Sequence, residues 1–234
     1  MLAIYKREMK AYFISPLGYV FLGVYLLVSG AIFCFSTFYE MTSDLTEYFS
    51  TMLFCFIILL PLLTMKLFTE EKRARTEQLL LTAPVSVFSV VFAKFLAAYT
   101  MFAGASVFSG LYFIFLSFFG NVQAGLLFGN VFAILLIGMA FIAIGVFVSA
   151  VTESQLSAAI LTIGILLGFM LVSTLSNYIP AEWLRFSLAS LSVFYRYQNF
   201  AHGVFDIAAL VYYLSITALF LALSMRSVDR RRWR

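Results

Sequence analysis

Ionisable side chains are almost missing from the long apolar runs of this 234-residue chain, where Lys66, Lys94 and Glu153 fall only at the ends. Ion-driven transporters and proton relays need carboxylates, histidines or lysines at membrane depth. The chain therefore has no visible means of harnessing an ion gradient, and any energy it uses is expected to come from another protein. It also lacks the G-x-x-x-x-G-K-[S/T] phosphate loop, so ATP cannot be cradled by that route. No H-E-x-x-H and no G-x-S-x-G turn is present, which removes the usual metalloprotease and serine-hydrolase readings. The one histidine, His202, stands among aromatic residues and reads as an interfacial side chain rather than a base or ligand. Cys34 and Cys55 lie in different apolar runs without a second ligand at metal spacing, and read as small hydrophobes.

What is present is apolar. Hydrophobic residues make up 63% of the chain, mean hydropathy is +1.02, and 28 Phe and 13 Tyr supply an unusual share of rings. A soluble domain is about half apolar, so this is a polytopic membrane protein. The runs read as spans over residues 17–38, 49–67 (interrupted by Pro61, which predicts a kink), 95–119, 126–151, 156–176 and 207–225. With the N-terminus inside, 13 of the 15 Lys and Arg residues fall on the cytoplasmic side, leaving only Arg185 and Arg196 outside. The positive-inside rule then predicts six spans with both termini cytoplasmic.

Two segments break the spanning pattern. Residues 2–14 place Leu2, Tyr5, Met9, Tyr12 and Phe13 at helical spacing, with Lys6, Arg7, Glu8 and Lys10 largely opposite. That pattern predicts a helix lying in the interface, basic side to the head groups, ended by Ser15-Pro16. It is not the pattern of a cleavable signal, because a full span follows without a small-residue cleavage site. Residues 177–206 mix rings with scattered charges, and predict short helices in the outer interface. Gly125-x-x-x-Gly129 and Gly164-x-x-x-Gly168 fit close helix packing. Hydroxyls such as Ser29, Thr100, Ser106, Ser149 and Thr174 form no evident polar stripe. The basic tail from Arg226 to Arg234 reads as a topology determinant that meets anionic lipid.

The most charged stretch is residues 69–94, which holds seven of the 26 charged side chains from Glu70 onward. It emerges between the second and third apolar runs on the basic, cytoplasmic side. Inside it Thr76 is placed as an N-cap, Glu77 lies in the first turn, and Leu79, Leu80 and Leu81 follow. Pro84 stops the helix after about two turns. So short a helix is marginal in water and calls for a soluble partner to pack on it.

Glu71-Lys72-Arg73, Thr76, Leu79-Leu80, Thr82, Pro84-Val85-Ser86 and Lys94 resemble the signature of type-2 ABC transporter permeases. The branch it resembles is the one named for gliding motility, whose members are short six-span permeases. Arg75 stands where the family usually has Gly, Gln78 where it often has an acid, and Ala93 where Gly commonly precedes the Lys. The resemblance implies an all-α integral membrane fold in a single permease domain. Residues 2–14 would be an elbow helix, 69–84 a cytoplasmic coupling loop with its coupling helix, and 177–206 an outer interfacial segment before the last span.

It further implies a permease subunit, not itself an enzyme, in an ATP-driven exporter of a bacterial cytoplasmic membrane. A separate cytoplasmic ATPase would dock on each of two permeases, the second a copy or a related chain. No cofactor would bind this chain, ATP-Mg would bind the ATPase, lipids would surround the spans, and no nucleic acid would take part. Arg73, Arg75, Thr76, Glu77, Gln78, Leu79, Leu80 and Pro84 would form the docking surface: leucines in a groove, Glu77 with Arg73 and Arg75 setting polar register. The alternative is a membrane anchor or sensor subunit of a cytoplasmic complex that transports nothing.

Overall fold

The computed structural model describes residues 1–39, 45–73, 85–118, 124–176, 192–201, 203 and 205–232. Those residues form helices and turns, six of the helices being long and apolar enough to cross a membrane. Helix α1, Leu2–Ile14, covers the segment expected to form the elbow. Ser15 then adopts an extended conformation, and Pro16 opens α2, Pro16–Phe33, at the position where a missing N–H costs nothing. A π-helical turn, Cys34–Tyr39, ends the first span.

Helix α3, Thr46–Thr64, carries Pro61 inside it. Helical bonding continues past the proline, Met65 N still donating to the Pro61 carbonyl at 2.9 Å. Met65, itself in helical conformation, separates α3 from α4, Lys66–Arg73. Helix α5, Val87–Ser117, is capped by Ser86, whose hydroxyl accepts from Ser89 N at 3.3 Å. This span begins at Val87 rather than near Phe95, so Lys94 lies inside the helix and not at its end.

Helices α6, Ala124–Val151, and α7, Gln155–Ser176, are joined by a tight turn. Short helix α8, Val193–Ala201, falls in the expected outer interfacial segment, and α9, Ile207–Arg232, closes the chain. Asp206 caps α9: its carboxylate accepts from Ala208 N at 2.8 Å and Ala209 N at 3.3 Å. The Asn199 amide, 2.8 Å from that carboxylate, holds it below the usual Asp range, helped by the two backbone donors and Arg196.

The core is built around α6 and α3, where 72% and 61% of the apolar stretch are buried, against 22% of α7 and 28% of α2 and α9. Small residues allow the close approach. A methyl group at Gly138 would strike the Phe102 ring, and one at Gly145 would strike Thr64. Gly125, Gly164 and Gly168 meet nothing within 4 Å of an added methyl, whereas Gly129 packs against the Phe200 carbonyl of α8 and Gly203. Two of the hydroxyls do converge. Tyr25 and Ser106 share a hydrogen bond at 3.1 Å, and Ser29 and Tyr112 both donate to the Leu26 carbonyl.

Gly145→Val should therefore separate α3 from α6 and lower stability by about 1–3 kcal/mol, the usual cost of overpacking. Gly164→Val should leave the melting temperature in mild detergent unchanged. Equal effects of the two would show that helix propensity, not close packing, is at work.

Candidate functional site where α1, α4 and α5 meet

Lys94 lies two turns into α5 and is only 1% exposed. An ammonium group in apolar surroundings is tolerable only with counter-charges and acceptors within reach. Three elements supply them. Glu8 of α1 stands 3.1 Å from Lys94 Nζ, Glu71 of α4 stands 3.0 Å away, and the Leu67 carbonyl accepts at 2.6 Å. The Phe68 ring covers the ammonium group, its centroid 5.1 Å off.

Arg7 completes the cluster from its solvent side, donating to Glu8 at 2.7 Å and to Glu71 at 2.6 Å. Partial burial opposes the charged guanidinium, but the bonds and charges of Glu8 and Glu71 outweigh it, and its pKa is raised. Glu8 is thus not on the head-group face of α1, and Lys94 does not reach out to lipid. Both point inward. Tyr5 and Tyr12 flank Glu8 on the same face of α1, at three- and four-residue spacing. Tyr5 donates to Thr100 on α5 at 3.1 Å, and Tyr12 to the Leu63 carbonyl at 3.0 Å. Burial, with Glu8 nearby, pushes the Tyr12 phenol well above its ordinary pKa.

A second set of contacts joins α4 to the turn between α6 and α7. Lys72 Nζ donates to the carbonyls of Ala150 and Thr152, both at 2.6 Å, and of Ser149 at 3.2 Å. These acceptors belong to the C-terminal end of α6, where a cation also suits the helix dipole. Ser149 accepts from Phe68 N at 3.0 Å and donates to the Met65 carbonyl at 3.3 Å, which stitches the α3–α4 junction to α6. Helix α4 is thereby bound on one side to α1 and α5 and on the other to α6.

Arg73, the last residue of α4, is exposed. It borders a cleft of about 530 Å³ together with Met65, Glu153, Ser154, Gln155 and Leu156. Of the expected docking residues Arg73 alone is among those described; Arg75, Thr76, Glu77, Gln78, Leu79, Leu80 and Pro84 lie outside the described residues. What the structure brings together is the pair of helices that flank them.

The family model for "ABC-2 family transporter protein" matches residues 24–232. The chain belongs to the ABC-2 transporter family. A comparison with curated proteins finds no match. This ABC-2 permease is therefore the membrane transport subunit of an ABC transporter, a multi-pass protein rather than a catalyst. The matched range includes Glu71, Lys72 and Lys94 but begins after α1, so Glu8 and Arg7 lie beyond it. Among the described residues of the permease no group of His, Cys, Asp and Glu could hold a metal ion. The cluster supplies fixed charge and geometry, not chemistry on a substrate.

Lys94→Met should leave two largely buried carboxylates to share the Arg7 guanidinium and destabilise the permease by about 3 kcal/mol, the lower end for a broken buried pair. Adding Glu8→Gln and Glu71→Gln to it should recover much of the loss, read as melting temperature in detergent. A single variant as stable as the wild type would show that the cluster contributes nothing.

Proposed function

We propose that this permease is driven by a separate cytoplasmic ATPase that docks on residues 74–84 and on Arg73, and that it exports its substrate. The supporting observation is the clamp on that segment. Helices α4 and α5 flank it on either side, and Lys94, Glu71 and Glu8 join them to each other and to the elbow. A push on the loop would therefore reach α1, α5 and, through Lys72, α6 without a slack joint. A loop that only set topology would need charge but no such anchorage.

The exporter contains two permeases, in this reading, and lies in a bacterial cytoplasmic membrane with both termini inside. Helix α7 favours the dimer, since most of its apolar stretch is uncovered within one chain. Phe54, Ile58 and Leu62 on α3 are exposed as well. Between α3, α7 and α8 lies a cavity of about 480 Å³, lined by Thr46, Ser50, Thr174, Tyr197 and Gln198 beside Phe54 and Phe194. Hydroxyls and an amide among rings suit an amphipathic substrate passing between two protomers. The short six-span length agrees with the gliding-motility-type branch. ATP and Mg would bind in the ATPase.

Leu80→Glu, placing a charge where an apolar contact is proposed, should abolish co-purification of the ATPase with the tagged permease while membrane insertion is retained. Unchanged association would overturn the docking assignment. If two folded wild-type proteins gave no complex, a non-transporting anchor would become the better account.

A further inference from the structure

Helices α1 and α4 border a cavity of about 410 Å³ that adjoins the ion cluster and shares Arg7 and Glu8 with it. On α1, Arg7, Lys10, Ala11 and Ile14 follow at helical spacing, with Glu8 and Tyr12 beside them. The other wall is Lys66, Leu67 and Glu70 of α4. Three cations, Arg7, Lys10 and Lys66, thus stand next to the apolar side chains of Ala11, Ile14 and Leu67, a pairing that suits a phosphate head group with an acyl–glycerol region beside it.

The cations leave donors for a ligand. Both ion pairs of Arg7 run through Nη2, and its side chain is 51% exposed. Lys10 is exposed on the same face. Among the described residues, Lys66 pairs with the exposed Glu70 carboxylate, four residues on, at 3.3 Å. Such surface pairs are worth little and yield readily to a stronger anion. Glu8 also lines the cavity, but its carboxylate is neutralised by Lys94 at 3.1 Å and Arg7 at 2.7 Å, which reduces its opposition to a phosphate.

We propose that this cavity is a binding site for one anionic phospholipid of the leaflet in which α1 lies. Lys10, Lys66 and the free side of the Arg7 guanidinium hold the phosphate, and Ile14, Ala11 and Leu67 line the glycerol and upper acyl region. The site borders α4, so occupancy would bear on the same helix that leads into the docking loop. The binding claim itself does not depend on an ATPase.

The test is native mass spectrometry of the purified full-length permease in mild detergent with dioleoyl phosphatidylglycerol or dioleoyl phosphatidylcholine added. One phosphatidylglycerol should be retained in preference to phosphatidylcholine. Lys10→Gln with Lys66→Gln, both outside the buried cluster, should weaken that retention about tenfold, as expected for two interfacial lysines. Lys6→Gln with Arg73→Gln removes the same charge from exposed residues that do not line the cavity and should leave it unchanged. Equal losses from the two pairs of variants, or equal retention of the two lipids, would overturn the site. Displacement of the lipid by equimolar inorganic phosphate would overturn the lipid assignment, since the apolar wall would then contribute nothing.

Discussion

Burying an ammonium group inside an apolar helix is the constraint from which the packing of α1, α4 and α5 in this permease follows. Lys94 is held by carboxylates from two other helices and by a backbone carbonyl, and none of the three lies near it in sequence. The elbow helix must therefore lie against α4 and α5 for the site to be tolerable at all. Removing one partner leaves the others charged and dry, which is far worse than never having had them. A cluster of this kind specifies an arrangement more than it adds net stability. Here the arrangement is a fixed frame around a loop.

The same logic of satisfying buried polar groups runs through the neighbouring contacts. Tyr12 donates to the Leu63 carbonyl, Ser149 to the Met65 carbonyl, and Lys94 to the Leu67 carbonyl. The Met65 carbonyl accepts from Thr69 of α4 as well. Lys72 answers the free end of α6 in the same way. Thr69 apart, the donors to this stretch come from other helices, so these bonds also tie α1, α5 and α6 to it.

The six spans and helix α1 were legible in the sequence because hydrophobic runs and a period of 3.6 residues report burial in lipid directly. The inward role of Lys94 was not. A lysine near the end of an apolar run reads as one that reaches the head groups, and only the early start of α5 at Val87 places it in the interior. Glu8 offered a signal that went unused: it is the one acid among the basic residues of α1, and it falls between Tyr5 and Tyr12 on one face. Helix packing was only weakly legible, because glycine pairs at this spacing arise by chance in apolar helices. Gly164-x-x-x-Gly168 has the familiar spacing, but Gly138 and Gly145 meet neighbours because those neighbours, Phe102 and Thr64, cross α6 there. Spacing along one helix does not carry the position of another.

The central claim is that α1, α4 and the start of α5 move as one body when the loop is driven. Spin labels on Lys10, Arg73 and Phe88, which are all exposed, would report the three distances by pulsed electron resonance in the permease–ATPase complex. The account predicts that all three distances stay the same with and without ATP, while distances between the two permeases change. Separation of Lys10 from the other two on adding ATP would contradict it, because the Lys94 cluster would then be a joint that opens and not a clamp.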